Sequence, residues 1–145
     1  MKMQRKKEVL FLCTGNSCRS QMAEGLARHL KSDHIIAYSA GIETHGLNQS
    51  AVLVMREIGI DILSQKSQHL DEFANHKFDY VITVCDRAAQ SCPIFNQNVQ
   101  VIARPFDDPP LLAKDEKDPE KALDCYRRVR DEILEYIQTL PESLG

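Results

Sequence analysis

The chain has 145 residues, of which 43% are apolar, 27% are charged and five are cysteines. Such a length and apolar content predict one folded domain over residues 1–145 and exclude intrinsic disorder. The formal net charge of −3 lacks the basic excess of nucleic-acid-binding proteins, and the apolar runs are far too short to span a membrane. We therefore expect neither nucleic acid nor a membrane as a partner.

The basic start of the chain is similar to the first part of a signal peptide. The run Val9–Cys13 is too short for the apolar part that should follow, so we expect a cytoplasmic protein. An odd number of cysteines argues against a disulfide framework and favours catalytic, redox or metal roles. No Cys-x-x-Cys pair occurs and the five histidines are scattered, so we expect no metal site.

Four short apolar runs, rich in β-branched residues, predict strands buried on both faces. They are Val9–Cys13, Ile35–Tyr38, Tyr80–Val84 and Val99–Ala103.

Helical patterns lie between and after these runs. The first has an apolar face of Met22, Leu26 and Leu30, and the second opens near Asn48. The last opens at Asp118, a favoured N-cap, with Pro119 at its first position and Pro141 as its end. Its predicted apolar face comprises Tyr126, Val129, Ile133, Ile137 and Leu140.

Alternating strands and helices predict an α/β fold: a four-stranded parallel sheet with helices on both faces. Ligands of such sheets bind beyond the carboxyl ends of the strands. The segments that follow each strand are therefore the candidate functional segments.

The first strand runs directly into a loop of small polar residues that precedes a helix. The loop comprises Cys13, Thr14, Gly15, Asn16, Ser17, Cys18, Arg19 and Ser20. Backbone N–H groups at such a helix N-terminus bind a tetrahedral oxyanion, and Arg19 would grip two of its oxygens. The segment is a candidate substrate-binding loop.

Cys13 is the candidate nucleophile, because a helix N-terminus and a neighbouring cation lower a thiol pKa. Ser20 could donate a hydrogen bond to the thiolate, and Asn16 could hold the shape of the loop. The alternative is that Cys13 is a buried packing residue. We interpret the side chain of Cys18 as structural.

Cys85 follows the third strand, and Cys92 comes seven residues later. If the first and third strands are neighbours, Cys13 and Cys85 lie within plausible reach of a disulfide. The helix-prone segment 86–91 would have to unwind before Cys85 and Cys92 could bond. From these residues alone, Cys85 and Cys92 are equally well interpreted as members of a thiol relay or as two unrelated small residues beside a strand.

The fourth strand is followed by Phe106-Asp-Asp-Pro-Pro110. A carboxylic acid here could protonate a departing oxygen. Asp108 precedes a proline, which favours an extended backbone and a projecting side chain. An ordinary acidic turn is the alternative that these residues alone favour.

Together these segments resemble the thioredoxin-coupled arsenate reductases, which share the low-molecular-weight protein tyrosine phosphatase fold. The resemblance rests on residues 13–25, Tyr38–Gly46, Val81–Asp86, Ser91–Pro93, Phe106–Pro109 and Arg128–Ile133. It covers nearly the whole chain in the same order. Gln65 stands where some members carry His.

The resemblance implies that Cys13 is the nucleophile, Arg19 the anion clamp and Asp108 the general acid. It also implies a disulfide relay from Cys13 through Cys85 to Cys92, with thioredoxin as the external reductant and no bound cofactor. The expected reaction is reduction of arsenate to arsenite by a monomer, for arsenic detoxification, with weak phosphatase activity.

Two other functions compete with this one. A phosphomonoester hydrolase would use Cys13, Arg19 and Asp108, but it gives no reason for thiols at positions 85 and 92. A non-catalytic anion-binding or redox-sensing module would need no acid.

Overall fold

The computed structural model describes residues 5–86, 88 and 99–144. Its strands are β1 (Lys7–Cys13), β2 (Ile35–Gly41), β3 (Tyr80–Thr83) and β4 (Gln100–Ala103). The described helices are α1 (Arg19–Leu30), α2 (Gln49–Glu57), α3 (Pro109–Leu112) and α4 (Pro119–Gln138), with short 3-10 turns at Leu70–Phe73 and Glu142–Leu144. None of the helices in this part of the chain is long and apolar enough to cross a membrane.

The strands form one parallel sheet in the order β2-β1-β3-β4, which confirms the predicted four-stranded sheet. Residues Val9 to Leu12 of β1 are all 0% exposed. Because successive strand residues point to opposite faces, both faces of the sheet are covered at its centre. The end of β1 lies between the ends of β2 and β3, since Cys13 pairs with Gly41 and Leu12 with Thr83.

The expectation of burial on both faces is wrong for β4. Val101 is 50% exposed, and the neighbouring residues of the strand are exposed or half-buried. Among the described strands β4 lies at the edge of the sheet and pairs with β3 alone, so an apolar run here does not reflect burial.

Local capping signals place the helices as predicted. The Asn48 side chain accepts a hydrogen bond from the Ala51 N–H at 3.0 Å, and Asp118 accepts one from the Glu120 N–H at 2.9 Å. All five predicted face residues of the last helix are buried. Leu30, predicted to be part of the buried face of α1, is instead 42% exposed because it is the last residue of that helix.

Helix α4 packs against α1 and α2 and fixes their positions. The buried Arg130 donates from Nη1 to the Val54 carbonyl at 2.8 Å and to Glu57 Oε1 at 2.9 Å. These bonds join the C-terminal end of α2 to the middle of α4, while the N-terminal end of α2 lies beside the loop that follows β1.

Candidate active site

A cavity of about 590 Å³ opens at the carboxyl end of the sheet. It brings together four of the five predicted catalytic residues: Cys13, Arg19, Cys85 and Asp108. Its other lining residues are Thr14, Gly15, Ser17, Cys18, His45, Asp86, Phe106, Asp107, Pro110 and Leu111. The fifth predicted catalytic residue, Cys92, lies outside the described residues.

The loop after β1 is held from outside by residues 42–48, which we call the strap. The strap donates backbone hydrogen bonds to four loop carbonyls: Ile42 to Cys13, Glu43 to Thr14, His45 to Gly15 and Asn48 to Ser17, at 3.2, 2.8, 2.9 and 3.0 Å. The C=O and N–H groups of a trans peptide point in opposite directions, so each tied carbonyl turns the next N–H toward the cavity. The result is a concave row of N–H donors suited to an anion.

The N-terminus of α1 completes this row. Its N-cap residue, Cys18, makes no side-chain capping bond, so the N–H groups of the first turn stay available to a ligand. Among the described residues, no acceptor bonds to the backbone N–H groups of residues 15–20. The loop is therefore built to take a tetrahedral oxyanion.

Asn16 is the buried centre of the loop, with φ at +46°. Its Oδ1 accepts from the Gln68 N–H at 2.6 Å and from Gln21 Nε2 at 3.1 Å, while its Nδ2 donates to Ser20 Oγ at 2.8 Å. These bonds support the expected role of Asn16 in holding the loop. The suggested bond from Ser20 to the Cys13 sulfur is not formed within the described part of the chain.

Arg19 is anchored above the loop. Its Nη1 donates to the Phe106 carbonyl at 2.9 Å, and its Nη2 lies 3.6 Å from Asp108 Oδ1. Asp107 is bound instead by Arg128 Nη2 at 2.7 Å. The carboxylate that faces the anion clamp is thus Asp108, which favours it over Asp107 as the acid.

Cys13 and Cys85 are free thiols that share a hydrogen bond. The Cys85 sulfur also receives bonds from the Thr14 hydroxyl at 3.2 Å and from the Ala88 N–H at 3.3 Å. These interactions lower the pKa of Cys85 to about 5. The hydrogen bond from Cys13 contributes most to this lowering, followed by the bonds from Thr14 and Ala88.

The lowered pKa expected for Cys13 is not found in the unliganded site. Its bond to Cys85, followed by burial, raises the pKa of Cys13 well above the ordinary value, and Arg19 lowers it only in part. Cys85 is therefore the more acidic thiol of the pair. The sequence did not show this, because the two thiols are distant along the chain.

The profile of the low molecular weight phosphotyrosine protein phosphatases matches residues 8–145. The chain belongs to this family.

Relatives within the family include reductases and phosphatases. The arsenate reductase of Halalkalibacterium halodurans is 49% identical over 138 residues, covering 95% of this chain and 97% of that one. A solved arsenate reductase in the oxidized state has a TM-score of 0.73 at 29% identity and covers 96% and 99% of the two chains. A solved low molecular weight protein tyrosine phosphatase from T. tengcongensis has a TM-score of 0.71 at 27% identity and covers 95% of this chain and 99% of its own. The fold alone therefore does not separate reduction from hydrolysis.

Cys18 and Cys125 are the other described cysteines. Cys18 is 5% exposed, and its burial raises its thiol pKa, which agrees with a structural interpretation of the side chain. Cys125 is half-buried on α4, where its thiol contacts the Lys121 carbonyl at 3.7 Å. No group of three His, Cys, Asp or Glu residues in the described ranges could hold a metal ion.

Sequence reasoning missed the residues that support the family's loop from behind. Gln65 Nε2 donates to Gln21 Oε1 at 2.8 Å, and Gln21 Nε2 donates to the Asn16 carbonyl at 3.0 Å. The position of Gln65 drew attention only because some relatives carry His there. Nothing in its spacing indicated a contact with Gln21.

Proposed function

We propose that this protein is a cytoplasmic arsenate reductase that converts arsenate to arsenite for arsenic detoxification and is regenerated by thioredoxin. The observation that carries the proposal is the contact of the second thiol, Cys85, with both Cys13 and Thr14 of the anion loop. Ester hydrolysis uses one nucleophile, whereas a two-electron reduction uses two thiols. The 49% identical relative named arsenate reductase gives independent support.

The loop geometry supports the proposed binding of arsenate. Three oxygens of the oxyanion accept from the N–H groups of the loop and from Arg19, which places arsenic against the Cys13 sulfur. The fourth oxygen then points toward Asp108, across the cavity from the nucleophile.

Activation of Cys13 uses the hydrogen bond that already exists. As Cys13 attacks arsenic, its proton passes to Cys85, so the single negative charge of the pair moves to the attacking sulfur. An arsenic–oxygen bond breaks, and Asp108 protonates the oxygen that leaves as water. The product is a covalent adduct of arsenic(V) on Cys13.

Cys85 is the attacking thiol in the redox step. Its proton passes to an arsenic oxygen, and its sulfur attacks the Cys13 sulfur. A sulfur–sulfur bond forms as the sulfur–arsenic bond breaks, and the electron pair of that bond stays on arsenic, which leaves as arsenite. Two thiols are oxidised to one disulfide while arsenic(V) is reduced to arsenic(III).

The last stage of the proposal involves Cys92, which attacks Cys85 and carries the disulfide to a position that thioredoxin can reduce. The whole cycle is proposed for a monomer consisting of one 145-residue domain. Weak phosphatase activity is part of the proposal, because Cys13, Arg19 and Asp108 suffice to hydrolyse a small phosphomonoester. The residues after Pro109 are aliphatic here, and an aryl leaving group gains no aromatic contact from them.

A single-turnover experiment tests this proposal. Reduced protein is mixed with arsenate without any external reductant, and arsenite and free thiols are counted after a rapid quench. We expect one arsenite formed and two thiols lost per protein. Hydrolysis of p-nitrophenyl phosphate without any arsenite would contradict reduction and indicate a phosphatase.

A further inference from the structure

His45 has no role in the mechanism described so far, although it lies in the strap. Its imidazole lines the same cavity as Cys13, Cys85 and Asp108, and its side chain is 54% exposed. Its backbone N–H is tied to the Gly15 carbonyl at 2.9 Å. The ring is therefore held at the anion loop by the main chain while remaining open to the cavity.

A carboxylate orients this imidazole. His45 Nε2 lies 2.8 Å from Glu43 Oε2. When one ring nitrogen is bound by a carboxylate, the other is the one that exchanges a proton with a reacting group. In His45 that nitrogen is Nδ1.

The imidazole of His45 packs against the loop at Gly15, where the absence of a side chain leaves space for Nδ1. A Cβ added to Gly15 would lie 2.3 Å from His45 Nδ1, so any side chain at position 15 would displace the ring. The space that glycine leaves empty is occupied by the nitrogen that Glu43 does not bind. This packing places Nδ1 beside the loop that would hold the arsenic oxygens.

The proton balance of the proposed reaction calls for such a group. Reduction of H₂AsO₄⁻ to As(OH)₃ and water takes up two electrons and three protons. The thiol pair supplies both electrons but only one proton when one of its two sulfurs is a thiolate, which is the form that nucleophilic attack requires. In the proposed reaction Asp108 supplies a second proton, so the third must come from another group at the cavity or from water.

The other charged groups around the cavity do not fill this role. Arg19 is the anion clamp, Asp107 is bound by Arg128, and Asp86 is an exposed carboxylate at the rim. Glu43 bonds to the imidazole itself. Among the groups that line the cavity in the described part of the chain, His45 is the side chain whose type ordinarily donates a proton near neutral pH.

We propose that His45, oriented by Glu43, is a catalytic proton donor that delivers the third proton to an arsenic oxygen as arsenite leaves. This inference rests on the proposed function. Its balance is H₂AsO₄⁻ plus the thiol–thiolate pair, protonated Asp108 and imidazolium, giving As(OH)₃, water, a disulfide, the Asp108 carboxylate and neutral imidazole. Atoms, protons and charge are equal on both sides.

The test compares wild type with His45→Gln, which keeps an amide donor but cannot release a proton. The rate of arsenite formation is measured in single turnovers across the neutral pH range, together with phosphate inhibition and p-nitrophenyl phosphate hydrolysis. We expect the arsenite rate to fall by about 100-fold, the scale of general acid catalysis, and its pH profile to change. Phosphate inhibition and p-nitrophenyl phosphate hydrolysis should persist, since p-nitrophenolate leaves without a proton.

Two further variants separate the possible outcomes. Glu43→Gln should slow arsenite formation less than His45→Gln, and His29→Gln, an exposed histidine at the far end of α1, should match wild type. An unchanged rate and pH profile in His45→Gln would overturn the inference. So would a parallel loss of phosphate binding and phosphatase activity, which would indicate that the ring only supports the loop. Absence of arsenite from wild type would instead contradict the proposed function.

Discussion

The Thr14 hydroxyl lies 3.2 Å from the sulfur of Cys85, so the anion loop stabilises the second thiolate directly. Cys13, the proposed nucleophile, and Cys85, the thiol proposed to attack it, are therefore linked before any substrate arrives. Because Arg19 also lowers the pKa of Cys85, the field that attracts the oxyanion acts on both thiols. In the proposed reaction, anion binding and electron transfer thus depend on the same few residues.

Replacing Thr14 by Val should raise the pKa of Cys85 above its value of about 5. A hydrogen bond to a charged group contributes about 1.5 kcal/mol, so we expect a shift of about one pH unit. The ultraviolet absorption of the thiolate, followed during a pH titration, measures the shift. Thr14→Ser keeps the hydroxyl and should titrate like wild type, and an unshifted midpoint in Thr14→Val would refute the contact.

The two adjacent aspartates should behave differently. Asp108→Asn removes the proposed acid beside Arg19, so the arsenate turnover rate should fall by about 100-fold or more. Inhibition by phosphate should persist, because Arg19 and the loop N–H groups that would bind the anion are unchanged. Asp107→Asn breaks only a surface pair with Arg128 and should keep nearly full turnover. Equal losses in the two variants would contradict this assignment.

The strap should be sensitive to added volume at Gly41. A Cβ there would lie 2.3 Å from the Glu43 carbonyl oxygen and 2.7 Å from the Asn16 nitrogen, so Gly41→Ala must displace backbone at the loop. We expect phosphate affinity, measured by calorimetry, to fall by about 10- to 100-fold, since displacements of about 1 Å have effects of this size.

Gly59→Ala is the matched control for this prediction. Gly59 has a φ of +81° and no atom within 4 Å of an added Cβ, so alanine strains the backbone without touching the loop. Stability should fall by about 1 kcal/mol while phosphate affinity stays at the wild-type value. If both glycine variants bind phosphate normally, the strap does not shape the anion loop.

Features encoded by neighbouring residues were predictable from the sequence. The N-caps Asn48 and Asp118 follow local rules, and the order of apolar runs predicts the parallel sheet. From the sequence, Cys13 and Cys85 were expected to be close only if β1 and β3 were neighbours. The two strands do pair, and this brings both thiols to one cavity.

Features that depend on distant residues were not predictable. The exposure of Val101 depends on the edge position of β4, and the raised pKa of Cys13 depends on the thiolate of Cys85. The strap bonds carry no sequence signal, because backbone groups make them whatever the side chains are. Such effects follow from tertiary contacts and not from composition or periodicity.

The most direct test of the account is the rate of NADPH oxidation with arsenate, thioredoxin and thioredoxin reductase. Wild type is compared with Cys92→Ser and with Cys125→Ser, a matched removal of a half-buried thiol on α4. We predict steady turnover in wild type and Cys125→Ser and loss of turnover in Cys92→Ser, which should still form one arsenite per protein. Equal steady turnover in all three proteins would contradict a relay through Cys92.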